Sequence, residues 1–393
     1  MRVGLEIKSG KLKGERIALC VTGSIAAIEA PKIARELLRH SADVTAYMSE
    51  DAKKIIHPNA MEFATEKGVV TKLTGKLEHI ADYDLILIAP ATANTISKIA
   101  WGVADTAITA LALTSRAKVL IAPAMDKGMY SNPILRDNIE KLKGRDFIFV
   151  GPSIREGKAK LAGLEDIVDL VIHELHKKDL EGLNVLVTAG PTIEYLDPIR
   201  VITNKSSGKM GIEIAKEAFF RGANVKLIYG FGTERVPPYL DVTNVETGRE
   251  MLEAVQSEVS NCDIFVSAAA VSDFTIEAKK EKIESRRGGI DVRLLPTPKI
   301  LDSVEGYEAL KVGFKALHNV SKESLVDSAY DLLKEHDLDL VVANDVSKST
   351  FRSDESEVFI VDEKKGVVHI PLTSKMEISE KLWNMIAEMR SRG

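Results

Sequence analysis

Runs of consecutive apolar residues, each followed by a helical pattern, constrain this chain more than any other feature of its sequence. RIALCVTG (residues 16–23) opens the series and leads into the helix-like segment IAAIEAPKIARELLRH. Strands that are apolar throughout and alternate with helices are typical of a parallel sheet covered on both faces. The sequence therefore predicts an α/β fold. The further strand-like runs of the first half are DVTAYMS, LILIAP, KVLIAPA and FIFVGP.

The same plan starts again in the second half of the chain. NVLVTAGPT (residues 184–192) predicts a strand that ends in a Gly-Pro turn, and SSGKMGIEIAKEAFFRG predicts the helix after it. A charged joint near Lys178 separates the halves, so we predict two successive Rossmann-like three-layer α/β domains, 1–178 and 179–393. We interpret residues 1–15 as an added hairpin and EVFIVDEKKGVVHI as another. The closing helix should bury a stripe formed by Ile378, Leu382, Met385, Ile386 and Met389.

Composition excludes several classes of protein. A chain of 393 residues with 45% apolar and 28% charged residues is neither a disordered tail nor a disulfide mini-protein. A net charge of -5 gives no general attraction to nucleic acid or to an anionic membrane. Cys20 and Cys262 lie in or beside apolar runs and are typical of buried thiols in a reducing compartment. No apolar run approaches the roughly 20 residues of a membrane span, and the N-terminus does not resemble a signal peptide. We therefore expect a cytoplasmic protein.

The first two strand ends of the first domain carry glycine and hydroxyl groups. In an open parallel sheet, ligands bind outside the carboxyl ends of the strands. Gly23 and Ser24 in TGSIAA would expose backbone N–H groups that suit an anion such as phosphate; a helix cap by Ser24 explains them equally well. Ser49, after the next strand, offers the same two interpretations. The spacing is not GxGxxG, so the dinucleotide fingerprint is absent.

Two further strand ends leave room for a ligand. APATANT (residues 89–95) is small enough to admit a flat ring and offers the Asn94 amide, or it is a plain turn and cap. Met129 in PAMDKGMY could cover an apolar ring edge or fill a gap in the packing. His79, in EHI before the third strand, suits proton removal near neutral pH if these loops form one site. Otherwise it is a structural histidine.

The second domain offers a comparable set of loops. SSGKMG places Ser207 and Lys209 at a helix start, as an anion cradle or as a capped helix. Asp273 follows a buried strand and suits a magnesium ion that bridges nucleotide phosphates, or it caps a turn. The basic run that contains Lys282 is either a solvated face or a clamp for a triphosphate. Phe314 supplies either an aromatic face for a base or part of the core.

The order and spacing of these motifs resemble a known family. TGSIAA, EHI, APATANT and PAMDKGMY together resemble the homo-oligomeric flavin-containing cysteine decarboxylases. GPTIEYLDPIRVITNKSSGKMG resembles the ligase half of the bifunctional phosphopantothenoylcysteine decarboxylase/phosphopantothenate–cysteine ligases of coenzyme A biosynthesis. The resemblance runs from about Gly14 to the end of the chain. It implies a flavodoxin-like flavoprotein domain followed by a Rossmann-like ligase domain.

For the first domain the resemblance implies bound FMN. The flavin would oxidise the thiol side of the substrate cysteine, so that CO2 can leave, and would then return a hydride. His79 is the implied general base. The implied contacts are Gly23, Ser24, Ile25 and Ser49 for the phosphate, Pro90, Ala91, Thr92 and Asn94 for the ring, and Asp126, Met129 and Lys160 for the substrate.

Three departures from the family concern the first domain. Asp126 stands where the family usually has Asn, and a carboxylate repels the substrate carboxylate unless a proton or a cation intervenes. The segment EGKAKLAGLEDI lacks the family's proton-donating Cys, and Lys158 or Lys160 is the candidate replacement. The stretch after His79 is shorter than usual, so a gapless alignment would put Lys76 in the place of the histidine.

For the second domain the resemblance implies activation of 4'-phosphopantothenate by a nucleotide, usually CTP with Mg2+, followed by capture with L-cysteine. Asn204 would stabilise the acyl-nucleotidylate, and Lys282 would neutralise charge on the phosphates. The family forms trimers through flavin domains and dimers through ligase domains, so a homo-oligomer is expected. The implied contacts are Gly190, Ser207 and Lys209 for the substrate, Asp273 for the metal, and Ala269, Ala270, Val271, Asp273, Lys282, Thr297, Pro298, Lys299, Ile300, Phe314 and Lys334 for the nucleotide.

Three other functions compete with this interpretation. A ligase whose flavin half has altered or lost activity would explain Asp126 and the missing Cys. A flavodoxin-like electron carrier would bind flavin and turn over no nucleotide. An NAD dehydrogenase is disfavoured because both GxGxxG and an acidic ribose partner are missing.

Overall fold

The structure is a computed structural model that describes residues 4–75, 82–155, 157–284, 291–347 and 353–392. The chain divides into two compact units, Met1–His176 and Lys177–Gly393. Among the helices of the described ranges, none has the length and apolar character that a membrane span requires.

The first unit is built on a parallel sheet. Five strands pair in the order β2-β1-β3-β4-β6, and each neighbouring pair is parallel. Every residue of β3 is buried, as expected for a strand covered on both faces. FIFVGP contributes only the short strand β6, since Gly151 adopts a positive φ of 69° and turns the chain away. The strands of this unit are β1 Arg16–Val21, β2 Asp43–Met48, β3 Leu85–Ala91, β4 Lys118–Pro123, β5 Met125–Asp126, β6 Ile148–Phe149, β7 Ser153–Arg155 and β8 Lys158–Lys160.

Helices lie between most strands of this sheet, and their starts follow from local sequence. Proline occupies the first turn of three of them, where its missing N–H costs nothing. Thr92 and Thr106 cap two others through their side-chain oxygens. The helices are α1 Ala30–Arg39, α2 Pro58–Thr65, α3 Ala93–Ala100, α4 Ala107–Thr114, α5 Lys127–Tyr130, α6 Pro133–Lys143 and α7 Leu164–Leu175. A 3-10 helix, Ile25–Glu29, precedes α1.

The strand order of the first unit locates its ligand-binding crevice. The chain moves from β1 outward to β2 and then back across to β3, so the connections after β1 and β3 leave the sheet in opposite directions. Such a reversal opens a crevice at the carboxyl ends of the two strands. The observed order confirms the predicted α/β fold.

The N-terminal segment differs from the prediction. Among its described residues, 4–15, there is no strand, so the predicted hairpin is wrong. The segment lies against the end of α1 instead: the Lys8 N–H donates to the carbonyl of Arg39 at 2.8 Å, and the side chain of Leu12 is fully buried. The backbone N–H groups of Lys8, Ser9 and Leu12 donate to carbonyls at the end of α1, where a hairpin would have paired them with each other.

The second unit carries a larger sheet of eight strands in the order β13-β12-β9-β14-β17-β18-β19-β20. Neighbouring strands of this sheet are parallel from β13 to β18. The pairs β18–β19 and β19–β20 are antiparallel. The predicted hairpin EVFIVDEKKGVVHI is confirmed as β19 and β20. The strands are β9 Asn184–Ala189, β10 Ile193–Tyr195, β11 Val201–Thr203, β12 Asn224–Tyr229, β13 Asp241–Asn244, β14 Ile264–Ser267, β15 Phe274–Thr275, β16 Leu295–Pro296, β17 Leu310–Leu317, β18 Leu340–Asp345, β19 Glu355–Asp362 and β20 Val367–Ser374.

Four α-helices are described in this unit: α8 Lys209–Phe220, α9 Gly248–Glu258, α10 Lys322–Glu335 and α11 Lys375–Arg392. The predicted apolar stripe of α11 is confirmed, because Ile378, Leu382 and Ile386 are fully buried and Met385 and Met389 pack against the same core. Trp383 lies in that core as well, and its indole N–H donates to the carbonyl of Ile214 at 3.0 Å. The hydrogen bond and the stripe fix α11 against α8.

A buried ion pair holds the start of the second unit. Arg221, at the end of α8, is fully buried, and its Nε donates to Oδ1 of Asp179 at 2.7 Å. Burial alone raises the pKa of the Asp179 carboxyl, but hydrogen bonds from Arg221 and Lys177 outweigh this effect and hold the pKa at about 2. The carboxylate is therefore charged at neutral pH.

We expect Asp179→Asn to destabilise the second unit by about 2–4 kcal/mol at pH 7, because it leaves a buried guanidinium without a counter-ion. The native pKa lies below the value of about 3.9 in an unfolded chain. The contribution of Asp179 is therefore present above about pH 4 and is lost as the pH falls towards 2.

Urea unfolding, followed through the fluorescence of the buried Trp383, measures this effect. Lys177→Ala is the matched control, since it removes the half-exposed member of the cluster and should cost less than about 1 kcal/mol. Equal stability of Asp179→Asn and the parent protein at pH 7 would contradict the assignment.

Candidate active sites

A cavity of about 470 Å³ lies at the carboxyl ends of the first unit's strands. It brings together residues from all four of the loops that the sequence singled out. Of the predicted contacts, those that line the cavity are Gly23, Ser24, Ser49, Thr92, Asn94, Asp126 and Met129.

A buried threonine joins the TGSIAA loop to the APATANT loop. Thr22 Oγ1 donates to the carbonyl of Pro90 at 2.7 Å and accepts from the Thr92 N–H at 3.0 Å. Its own N–H donates to the same carbonyl at 3.2 Å. Sequence reasoning missed Thr22, because its partners lie about seventy residues away along the chain. These bonds set the width of the crevice between β1 and β3.

Close packing requires a glycine in the first loop. A Cβ atom on Gly23 would lie 2.4 Å from the Cβ of Asp51, in the loop after β2. The side-chain oxygen of Ser24 accepts from the Ala26 N–H at 3.4 Å, and that of Ser49 accepts from the Ala52 N–H at 3.1 Å. Both serines are thus caps that also line the cavity, so the two interpretations of these residues are compatible.

Three predicted flavin contacts are placed differently. Ile25 is exposed and is absent from the residues that line the cavity. Pro90 and Ala91 contribute through their backbone, since their carbonyls accept from Thr22 and from the Ala124 N–H. They shape the crevice between strands and do not line it.

The PAMDKGMY loop pairs with the segment that follows β6. Met125 and Asp126 form β5, which runs antiparallel to β8, with Asp126 opposite Lys158. Oδ1 of Asp126 accepts from the Gly128 N–H at 2.7 Å, so this carboxylate caps α5 at the edge of the cavity. Lys160, at the other end of β8, is exposed and pairs with Ser153 of β7. The structure therefore places Lys158 nearer to Asp126 than Lys160 along the ladder.

His79, the predicted base, lies outside the described residues, as does Lys76. The roles assigned to them remain predictions.

A second cavity, of about 610 Å³, lies at the carboxyl ends of the second unit's strands. Its lining includes most of the predicted ligase contacts. They are Asn204, Ser207, Lys209, Ala269, Ala270, Val271, Asp273, Thr297, Pro298, Lys299, Ile300 and Phe314.

Hydrogen bonds between two loops build one wall of this cavity. The Asn204 amide donates to the carbonyls of Ala270 and Val271 at 3.1 and 3.2 Å. Thr192 Oγ1 accepts from the Ser272 N–H at 2.9 Å. Asn204 is thereby held at the cavity by backbone carbonyls that follow β14.

The floor of the cavity depends on glycines. Gly208, just before α8, has a φ of +90°, and a Cβ there would lie 2.7 Å from the Tyr229 ring and 3.2 Å from the Cα of Gly190. Tyr229 in turn donates from its hydroxyl to the carbonyl of Ser207 at 3.2 Å. Gly190 supports the SSGKMG loop from beneath and is absent from the cavity lining.

Two lysines meet at one end of the second cavity. Lys209 is ion-paired with Asp354, and Lys375, at the first position of α11, is 7% exposed. Burial, followed by the positive charge of Lys209, lowers the pKa of Lys375. Sequence reasoning missed Lys375, because a lysine at a helix start carries no local signal. The pair gives this end of the cavity a positive charge that suits an anionic ligand.

Asp273 and Phe314 also line this cavity. The Asp273 carboxylate is mostly exposed and accepts an ion-pair contact from Lys299 at 2.5 Å. Its carbonyl accepts from the Thr297 N–H at 3.0 Å, which closes the loop around the cavity. Phe314 lies in β17, is partly buried against the core and also lines the cavity, and its contact with a base remains a prediction.

Two predicted nucleotide contacts are placed elsewhere. Lys282 is exposed and is absent from the cavity lining. Lys334 lines a different cavity, of about 370 Å³, together with Lys311 and Asp337. From the same helix end, Leu332 and His336 face the candidate nucleotide cavity instead. Helical geometry decides this, since positions 332 and 336 share a face that position 334 does not.

We expect Gly208→Ala to destabilise the second unit by about 2–4 kcal/mol, because the new methyl group meets the Tyr229 ring and also has to adopt a positive φ. Gly306→Ala is the matched control: Gly306 has a φ of +80° and no atom within 4 Å of the added Cβ. Gly306→Ala should lower the free energy of unfolding by only about 1 kcal/mol, because alanine has to adopt the positive φ but meets no neighbouring atom. Urea unfolding compares the two, and equal losses would show that the close approach is unimportant.

Comparison with known proteins identifies the family. Residues 180–389 match the family described as DNA/pantothenate metabolism flavoprotein C-terminal domain, and residues 5–176 match the family described as Flavoprotein. The chain is 49% identical over 397 residues to the Coenzyme A biosynthesis bifunctional protein CoaBC of Thermococcus kodakarensis, with 97% of each chain covered. It is 39% identical over 391 residues to the protein of the same name from Methanocaldococcus jannaschii, covering 97% of this chain and 96% of the relative.

A solved structure, the C-terminal domain of Coenzyme A biosynthesis bifunctional protein CoaBC, is 30% identical with a TM-score of 0.47, and the match covers 55% of this chain and 100% of that chain. The identity to the two full-length relatives confirms the resemblance that the motifs predicted. The chain belongs to the family of bifunctional proteins of coenzyme A biosynthesis, in which a flavoprotein domain precedes a pantothenate-metabolism domain.

Proposed function

We propose that this chain couples 4'-phosphopantothenate to L-cysteine, using CTP, and then decarboxylates the product to 4'-phosphopantetheine with FMN. The observation that carries the proposal is one strand-end cavity in each unit, lined by the loops on which the family resemblance rests. We assign decarboxylation to residues 1–178 and ligation to residues 179–393.

The first cavity fits a flavin mononucleotide. It lies beside the β1/β3 reversal, the position at which proteins with this strand order bind FMN. Gly23 lets the first loop approach Asp51 closely, Ser24 and Ser49 present hydroxyls, and Thr92 and Asn94 line the same cavity. When bound, the flavin would supply the two-electron oxidation that makes loss of CO2 accessible. Ile25 would add a backbone contact, and Pro90 and Ala91 would shape the crevice through the carbonyls that bond Thr22 and Ala124.

The chain's own part in decarboxylation is to position the substrate and to move protons. We assign the general base to His79, on the strength of its EHI motif. Asp126 and Met129 would hold the carboxylate end of the substrate, and the Gly128 N–H already offsets part of the Asp126 charge. The proton donor in place of the missing Cys would come from β8, as Lys160 or Lys158.

The second cavity fits acid activation by a nucleoside triphosphate. Lys209, Ser207 and the neighbouring Lys375 would receive the phosphate and carboxylate of the substrate. Asn204 would stabilise the acyl-nucleotidylate from its anchored position. Asp273 would hold Mg2+, and Lys299 would shift from Asp273 to a phosphate once the ion is bound. Lys282 and Lys334 would require a change in their surroundings to reach the nucleotide.

A ligase with an altered flavin half is the second candidate. The exposed carboxylate of Asp126 at the cavity edge favours it, since like charges repel there. A homo-oligomer, trimeric through the flavin unit and dimeric through the ligase unit, remains the assembly that the resemblance implies.

The decisive experiment follows pyrophosphate and CO2 separately. Purified protein is incubated with 4'-phosphopantothenate, cysteine and either CTP or ATP. The proposal expects pyrophosphate with CTP and one CO2 for each product coupled. Pyrophosphate without CO2 would favour the second candidate, and neither product would refute both.

We expect Asn204→Ala to lower the rate of cysteine coupling by about 100-fold or more, because it removes the amide that the proposal assigns to the acyl-nucleotidylate, which would draw that amide from the carbonyls of Ala270 and Val271. Decarboxylation of added phosphopantothenoylcysteine should be unchanged. Thr203→Val is the matched control: it removes the neighbouring hydrogen bond, from Thr203 Oγ1 to the Thr192 carbonyl, without changing the cavity lining. Equal coupling losses in both variants would assign Asn204 a structural role only.

We expect His79→Asn to lower CO2 release by about 100-fold or more, since general base catalysis is worth this much, while the flavin stays bound. Flavin absorbance of the purified variant and the rate of CO2 release are the two measurements. Release at the parental rate would remove His79 from its role.

A further inference from the structure

Two carboxylates and an imidazole meet beside the second cavity. Asp302 lies in the 3-10 helix Leu301–Val304, and Glu305 follows it directly. A 3-10 helix has about three residues per turn, so positions 302 and 305 project on the same side. His336, which caps the end of α10, completes the group from the opposite direction. The three ligand atoms all lie within 4.8 Å of one another.

The imidazole nitrogen that faces the carboxylates has no hydrogen bond. His336 has a side chain only 6% exposed, and its Nδ1 is buried without a hydrogen-bond partner among the described residues. Nδ1 lies 3.1 Å from Oδ1 of Asp302 and 3.5 Å from Oε1 of Glu305, but neither contact has hydrogen-bond geometry. Buried polar atoms without a partner are uncommon, and an ion or a water is the usual explanation.

The distances match those around a bound cation. A tetrahedral ion with ligands at about 2.1 Å separates its ligand atoms by about 3.4 Å, close to both contacts of Nδ1. Both carboxylates are at least half exposed, so small rotations can adjust their oxygens. Glu335 adds a third negative charge, 4.0 Å from the other nitrogen of the ring. In the described part of the chain, neither Asp302 nor Glu305 pairs with a lysine or an arginine.

We propose that Asp302, Glu305 and His336 form a site for one divalent transition-metal ion. One nitrogen and two oxygens favour an ion such as Zn2+ or Co2+ over Mg2+, which prefers oxygen alone. Three protein ligands leave one tetrahedral position open. Since His336 and Leu301 also line the second cavity, that position is within reach of a ligand there. The ion site itself does not depend on the proposed function.

The test uses full-length, chelator-treated protein without nucleotide, titrated with Co2+ and, in parallel, with Zn2+. Cobalt difference spectra report tetrahedral coordination, and calorimetry with Zn2+ gives the stoichiometry. We expect one ion per chain. His336→Gln and the double variant Asp302→Asn/Glu305→Gln should each bind at least about 10-fold more weakly.

His369→Gln is the matched control. His369 Nε2 lies 2.7 Å from Oε1 of Glu357 in the β19–β20 hairpin, and the control should bind the ion as the parent does. The double variant changes only exposed carboxylates, so it keeps the fold even if His336→Gln does not. No ion bound by the parent, or equal binding by the parent and the double variant, overturns the proposal. Such a result would identify His336 as a partner of the carboxylates only.

Discussion

Burial on both faces of a parallel sheet is the constraint from which both cavities follow. Strands such as β3 and β9 have no solvent-facing side, so their sequences are apolar almost throughout. Polar groups are therefore restricted to the strand ends, where the loops of several strands meet. The few hydroxyls inside, such as Thr22 and Thr188, serve the loops by accepting their N–H groups. Each strand thus contributes to the core through its apolar residues and to the site through the loop at its end.

The charges of the second unit are arranged asymmetrically around its cavity. Lys209 and Lys375 concentrate positive charge at one end, and Asp354 offsets only part of it. Asp273, which also lines the cavity, is paired with Lys299. Asp354 and Asp273 are exposed and each has a lysine partner, so an incoming anion can take over the lysine while water solvates the released carboxylate. Such an exchange lowers the cost of desolvation when an anion binds.

The sequence predicted those parts of the sites that depend on local chemistry. Gly23 closely follows β1, and Ser207 and Gly208 lie immediately before α8; a glycine or hydroxyl at a strand end or a helix start is visible without a structure. Thr22 and Lys375 were missed, because their partners are far away in sequence and only the fold brings them near. Lys334 was predicted to contact the nucleotide, whereas α10 directs Leu332 and His336 towards the second cavity. The N-terminal hairpin failed for the same reason, since its pattern carries no information about the end of α1.

The docking of α11 determines when the second cavity is completed during synthesis. The Ser379 hydroxyl and the Trp383 indole N–H donate to the carbonyls of Glu213 and Ile214 in α8. These acceptors precede their donors by more than 160 residues, so the ribosome makes them much earlier. The first unit has all its strands once the ribosome has passed residue 160, and domains generally fold as they emerge. The second unit instead holds an open face on α8 until the helix that carries Lys375 has left the exit tunnel. A nascent chain would therefore complete its first unit well before its second, whose cavity requires α11.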